Sequence, residues 1–232
     1  MPPTSTHDAM EDTYPPVRLK VWGDFACFTR PEMKVERVSY DVMTPSAARG
    51  ILEAIYWKPQ FQWRIRRIHV LAPIRRFSIL RTEVKSKAVV SSAQRGERYF
   101  VNDDHTQRHT LALRDVAYLV EADVHLHPKY RDDADNNVAK HRDQFRRRVA
   151  RGQSFHHPYL GCREFAAHFG APDDTEAPPP ELVGRTEPLG RMLFDLAFAD
   201  GGQGSGVPRF FNAVLEDGVL HVPAHLYDAL EP

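Results

Sequence analysis

Val17–Phe28 reads VRLKVWGDFACF, and its first six residues alternate. Val17, Leu19 and Val21 fall on one face, and Arg18, Lys20 and Trp22 on the other. A period of two marks a half-buried strand. Gly23-Asp24 then suggests a bulge. The next periodic stretch changes character. Thr44-Pro45-Ser46 has the chemistry of a helix start, with Thr44 at the N-cap and Pro45 at the first helical position. Ala48, Ile51, Leu52 and Ile55 recur at helical spacing, and Pro59 is expected to stop the element. Phe61–Val70 (FQWRIRRIHV) returns to alternation, with Phe61, Trp63, Ile65 and Arg67 on one face.

Working outward, residues 78–108 are polar, basic and punctuated by Gly, Asn and Asp, and read mostly as a long excursion. Thr110–Arg114 and Ala117–His125 read as two strands turning at Asp115. Asn136–Arg151 reads as a helix whose sparse apolar positions are Val138, Phe145 and Val149, with Gly152 as its stop. The order matches a βαββαβ ferredoxin-like unit of the α+β class with a long insertion. Residues 1–14 read as a flexible leader and 15–170 as the main domain. Residues 171–232 read as a linker (Pro172–Pro180) and a small antiparallel β-sheet addition. That addition holds Met192–Phe198, Phe210–Val214 and Val219–Val222, with a hairpin at Glu216-Asp217-Gly218. Gly201-Gly202-Gln203-Gly204-Ser205-Gly206 reads as a flexible loop rather than a phosphate cradle.

The chain of 232 residues is 42% apolar and 27% charged, as in a globular protein that can bury a sizeable core. No run approaches the ~18 apolar residues of a membrane span. The N-terminus lacks the basic and apolar regions of a secretory signal. Two cysteines far apart in sequence, Cys27 and Cys162, argue against a disulfide scaffold and fit a reducing, cytoplasmic setting. The net charge of zero hides an asymmetry. Residues 170–232 carry eleven Asp and Glu against three Arg, and residues 1–169 carry 28 Lys and Arg against 20 Asp and Glu. A basic body suggests a face that binds a polyanion.

Two basic groups stand out. Arg64, Arg66, Arg67, Arg75 and Arg76, followed by Arg81, Lys85 and Lys87, interleave with Phe61, Trp63 and Phe77. Cations neutralise phosphates and aromatics stack on unpaired bases, while a solvated strand face with core aromatics is the plain alternative. The second group is the helix, where Lys140, Arg142, Arg146, Arg147, Arg148 and Arg151 accompany a single acid, Asp143. Like charges four apart cost helix stability, which a phosphate backbone would offset. A solvated basic face beside the acidic tail explains the charge equally well. Within this helix, Lys140-His141 pairs a fixed cation with a group that titrates near neutrality, as metal-free RNA cleavage by the 2′-hydroxyl requires. His125-x-His127 and His156-His157 lack convincing Cys or carboxylate partners for a metal site. Phosphate-loop, dinucleotide, serine-nucleophile and C-x-x-C motifs are missing, and no cofactor is expected.

Several strings in order carry a resemblance. They are Val21–Phe28 (VWGDFACF), Ser39–Val42 (SYDV), Ile55–Pro59 (IYWKP), Glu83–Lys87 (EVKSK), Phe145–Arg148 (FRRR) and Gly152–Phe165 (GQSFHHPYLGCREF). Together they resemble the fifth-numbered CRISPR-associated family in its type I-C (Dvulg) branch, of the RAMP superfamily, over roughly Val17 to Val222. Thr82 stands where the family often has Asn, and Ser154 where it often has Cys. The resemblance implies an RRM-like domain and endoribonucleolytic maturation of CRISPR precursor RNA, leaving 2′,3′-cyclic phosphate and 5′-hydroxyl ends. It implies as partners the repeat hairpin, the mature crRNA, and the backbone family-seven and large family-eight subunits of a Cascade-like complex. Target DNA is a further candidate partner, and no membrane is involved. By motif, the family's tyrosine falls on Tyr56, and its lysine and histidine on Lys140 and His141. Two alternatives stand beside this reading. One is a non-catalytic crRNA-binding subunit. The other is a metal-dependent DNA-binding or nuclease protein using the histidines at 125–127 and 156–157.

Overall fold

The computed structural model describes residues 14–33, 35–87, 89–131, 136–198, 206–228 and 230. The first half of the chain supplies β1 (Val17–Ala26), β2 (Arg37–Val38), α1 (Pro45–Ile55), β3 (Phe61–Val70), β4 (Arg75–Val84) and α2 (Val90–Gln94). The second half supplies β5 (His105–Leu126), α3 (Val138–Ala150), β6 (His168–Gly170), β7 (Thr186–Ala197), β8 (Val207–Glu216) and β9 (Val219–His221). The described strands join in one curled, mostly antiparallel sheet in the order β6-β1-β5-β3-β9-β8-β7, with β2 and β4 also on β5. The leader up to residue 13 and the glycine-rich loop 201–205 lie outside the described residues.

β1 forms as its alternation dictates, with Val17, Leu19 and Val21 buried. Its register with β5 runs unshifted from Val17↔Ala122 to Ala26↔Leu113, so the bulge expected at Gly23-Asp24 is not there. Glycine is needed at 23 for another reason. A Cβ there would lie 2.6 Å from Leu160 Cδ1 and 2.8 Å from the Ala166 carbonyl, where the 158–167 segment crosses β1.

β5 corrects the two-strand reading. Asp115 takes a left-handed φ of 53°, which Asp tolerates, yet β5 is a single strand of 22 residues. β4 and then β3 pair along the same edge of β5 and keep it extended through the kink. The excursion expected at 78–108 is there but shorter at both ends. Arg75–Val84 pairs with Arg114–His105, and only the stretch between Val84 and His105 leaves the ladder.

β3 carries a bulge between Ile65 and Arg67. The phase resets there, so Ile68 and Val70 are buried and Arg67 leaves the core face to pair with Glu121 at 2.7 Å. The Tyr227 hydroxyl fills the bulge, accepting from Ile65 N at 2.5 Å and donating to Ile65 O at 3.2 Å. Phe61 and Trp63 are core residues, Trp63 packing edge-on to Phe145 of α3 at 4.8 Å. They are not the base-stacking aromatics that the basic strand suggested. Phe77 is half-buried against Phe25.

α1 starts as expected, Thr44 Oγ1 accepting from Ala47 N at 3.2 Å. It stops at Ile55, four residues before Pro59, because Tyr56 turns extended while its N–H still bonds Leu52 O. α3 is capped by Asn137, whose Oδ1 accepts from Lys140 N at 2.9 Å, and it ends at Gly152 with φ 62°. The Asp217-Gly218 turn has φ of 50° and 74°, the signature of a tight hairpin. β9 then pairs with β3, so the C-terminal strands continue the main sheet, and β7 and β8 are longer than their sequence signals. Cys27 and Cys162 are free and neighbours in space, Cys162 Sγ donating to Cys27 O at 3.5 Å.

Candidate active site

The end of α1, the start of β3 and the first turns of α3 converge. Because Tyr56 leaves the helix in an extended conformation, its ring turns toward α3, and Trp63 Nε1 donates to its carbonyl at 2.9 Å. Arg148 of α3 donates to Ile55 O at 2.7 Å and sets its guanidinium 5.5 Å from the Tyr56 ring. The Tyr56 hydroxyl lies 2.9 Å from His141 Nδ1. On the other side of the imidazole, Nε2 lies 2.6 Å from Asn136 Oδ1. Asn136 Nδ2 donates to Tyr130 O at 3.1 Å, which fixes which end of the amide faces the histidine. An amide oxygen only accepts, so Nε2 carries the proton and Nδ1 accepts from Tyr56. The Phe61 ring, 4.7 Å from the imidazole, packs the histidine in place.

The electrostatics suit that tautomer. Burial, then the positive charges of Lys140 and Lys58, hold His141 below its ordinary value. Burial raises Tyr56, partly opposed by Arg148 and Arg147. At neutral pH the imidazole is uncharged and the phenol protonated, so the pair is set to pass a proton inward. Both rings are nearly covered, Tyr56 at 5% and His141 at 4% exposure, while Lys140 and Lys58 are exposed.

The three residues expected from the motifs therefore meet: Tyr56 and His141 directly, with Lys140 adjacent and outward. Asn136 was not read from the sequence. Its signal was the doubled Asn136-Asn137, since one asparagine suffices for the cap. The basic residues divide. Arg146 and Arg147 are exposed on α3 and Arg151 at its C-cap, while Arg142 is buried beneath the Tyr14 ring and Arg148 turns toward Tyr56. Arg64, Arg66 and Arg67 line a cleft of about 490 Å³ with His125, His221 and Tyr227. Arg66 is paired there with Asp123. Arg75 and Arg76 are exposed and paired with Asp115 and Asp41, and Lys85 and Lys87 are exposed beyond β4. His125 is buried, its Nε2 3.0 Å from Arg64 and 3.3 Å from Arg131. Two guanidiniums at one nitrogen occupy the lone pair a metal would need. His156 and His157 are exposed.

Comparison with known proteins bears on this geometry. The family model described as "CRISPR-associated protein (Cas_Cas5)", in its Cas5d form, matches residues 17–223. A "CRISPR pre-crRNA endoribonuclease Cas5d" of Thermus thermophilus is 47% identical, over 92% of this chain and 94% of that protein. A protein of the same name from Mannheimia succiniciproducens is 46% identical, over 89% and 94%. Among solved structures, a crystal structure of a CRISPR-associated protein superposes with a TM-score of 0.65 at 24% identity, covering 91% and 94%. The Streptococcus mutans protein SMU1763c, described as functionally uncharacterized, gives 0.63 at 24%, covering 90% and 94%. With the family model spanning nearly all of the described residues and two relatives near half identity, the chain belongs to the CRISPR-associated Cas5 family, in its Cas5d branch.

Proposed function

We propose that this protein is a metal-independent endoribonuclease that cuts CRISPR repeat hairpins in precursor RNA. It then holds the crRNA 5′ handle as a subunit of a type I-C Cascade-like complex, beside backbone family-seven and large family-eight subunits. The observation that carries the chemistry is the 2.9 Å hydrogen bond between the Tyr56 hydroxyl and His141 Nδ1. It lies in a chain nearly half identical to two proteins named pre-crRNA endoribonucleases. The strand order β6-β1-β5-β3, with α1 and α3 as crossovers, supports reading the main domain as a ferredoxin-like unit. We read 15–170 as the RNA-binding and catalytic domain and 171–232 as its β-rich appendage.

In this reading the substrate's 2′-hydroxyl gives its proton to the Tyr56 oxygen as Tyr56 passes its own to His141 Nδ1. The 2′-oxygen bonds to phosphorus, the bond to the 5′-oxygen breaks, and that oxygen takes a proton from solvent to leave as a 5′-hydroxyl, after which His141 returns its proton to solvent through Tyr56. Asn136 steadies the imidazolium, and Lys140 faces the charge growing on the phosphoryl oxygens. Arg146, Arg147 and Arg151 grip the backbone, and hairpin shape with its unpaired flanks supplies recognition. Because both rings are nearly covered, RNA binding must uncover the Tyr56 hydroxyl.

That burial favours one second reading, a subunit that binds crRNA without cutting it, with the Asn136–His141–Tyr56 chain serving as a packed polar core. Incubation of a labelled repeat hairpin in excess EDTA, with wild type and His141→Ala, separates them. One discrete cut by the wild type, lost in the variant, supports the nuclease. Retained binding with intact RNA in both supports the subunit.

A further inference from the structure

Phe61 and Trp63 are buried and Phe77 half-buried, whereas two aromatics on segments joined to the end of α1 are exposed. Trp57 is 54% exposed and Phe155 is 85% exposed. Trp57 directly follows Tyr56. Phe155 is brought to the same place by its backbone N–H, which donates to Ala54 O in the last turn of α1 at 2.7 Å. Its loop leaves α3 through Gly152, with Gln153 N bonded to Arg148 O. So two large apolar rings stand in water on segments pinned to the end of α1 that carries Tyr56. A ring in water forgoes the burial that drives folding, and two such rings on segments joined to one helix end call for a partner surface.

The charges around them indicate its chemistry. Lys58 follows Trp57, Arg151 precedes the Phe155 loop, and both are exposed. Lys58 and Lys140 act on His141, and Arg147 and Arg148 act on Tyr56, through their positive charge. Cations that follow a phosphate chain together with rings that accept any base form a platform for single-stranded nucleic acid. A duplex stem hides its base faces and offers nothing to stack on.

We propose that Trp57 and Phe155 stack the unpaired nucleotides next to the scissile phosphate and so place that phosphate over Tyr56. The proposal rests on the nuclease reading for what is placed, but the stacking is measurable without cleavage. The probe is a fluorescein-labelled repeat hairpin with a 2′-deoxy sugar at the cut site, made with and without its single-stranded flanks. Anisotropy titration gives affinity for each.

Wild type is expected to bind the flanked RNA more tightly. Trp57→Ala and Phe155→Ala are each expected to weaken that binding by on the order of 5- to 100-fold, and the bare hairpin by less than about twofold. Trp57→Phe, which keeps a π face, restores most of the loss. Thermal melts of the variants should match wild type, since neither ring is in the core. Wild type that binds both RNAs equally overturns the proposal, as do Ala variants that weaken both RNAs alike or neither. Flank-dependent binding by a wild type that leaves a ribose substrate intact keeps the platform standing and sinks the nuclease reading. His141-dependent cutting by flank-blind protein does the reverse.

Discussion

Asn136 Oδ1 accepts the proton of His141 Nε2 at 2.6 Å, and Asn136 is itself anchored to the Tyr130 carbonyl. A neutral acceptor holds the tautomer without drawing the ring toward its charged form. Cleavage that uses neutral His141 should therefore rise with pH through a midpoint below the ordinary histidine value of about 6.5, in the direction burial, Lys140 and Lys58 impose. It should stay level until far above neutrality, because burial raises Tyr56. Asn136→Asp puts a carboxylate where the amide was and favours imidazolium, so the midpoint moves up by about one unit or more. A single-turnover pH profile reads this directly. An unmoved midpoint in Asn136→Asp would remove His141 from the proton path.

Tyr56→Phe keeps the ring that stacks on Phe61 at 5.7 Å and removes only the hydroxyl. His141 Nδ1 then loses its donor in a buried place, a cost of about 1–3 kcal/mol. For a chain of this size that lowers the melting temperature by roughly 2–12 °C. The single-turnover rate should fall by about 10²-fold or more, the usual worth of a positioned proton-transfer group. A melt shifted by this amount with cutting unimpaired would make the hydroxyl structural only.

Much of this was legible in the sequence, and the rest failed for identifiable reasons. Thr44-Pro45 and the spacing of Ala48, Ile51, Leu52 and Ile55 fixed α1 because capping and periodicity are local. Lys140-His141 could be placed on a helix for the same reason. The bulge before Arg67 could not be read, because it is closed by Tyr227, 160 residues away in sequence. Asp115 looked like a turn because Asp takes positive φ in turns and in kinked strands alike; only the pairing of β4 and β3 on one edge decides. Phe61 and Trp63 are open in the sequence to base stacking or to a place in the core, because alternation does not say which face meets a helix; they are core. Asn136 escaped because its partner lies five residues on and its role depends on where Tyr56 arrives.

The basic helix separates surface from core. Arg146, Arg147 and Arg151 are exposed, whereas Arg142 is buried under Tyr14. Each exposed arginine that meets a phosphate contributes a slope of about 0.7–0.9 in log affinity against log salt. Arg146→Ala, Arg147→Ala and Arg151→Ala should each flatten the salt dependence of hairpin binding by about that amount and leave the melt in place. Arg142→Ala should lower the melt and leave the slope alone. A reversed pattern would put the RNA on a different face of the helix.

The last prediction concerns what holds α1, and with it Tyr56, to the C-terminal strands. Arg49 Nε and Nη2 donate to the two carboxylate oxygens of Asp195 on β7 at 2.6 and 2.7 Å, and Arg49 Nη1 also reaches Glu53 at 2.7 Å. The Asp195 side chain is 5% exposed and that of Arg49 26%, so most of the pair is withdrawn from water. Removing one partner strands the other charge, at about 3 kcal/mol or somewhat more. Asp195→Ala should then melt roughly 6–12 °C lower. Replacing both partners, Arg49→Met with Asp195→Leu, leaves no buried charge unmatched and should recover most of the loss. Arg49 lies two turns before Tyr56, away from the proton path, so the double variant should cut the hairpin within a few-fold of wild type at 25 °C. A double variant as unstable as Asp195→Ala would mean that β7 is held to α1 by geometry only this bidentate pair supplies.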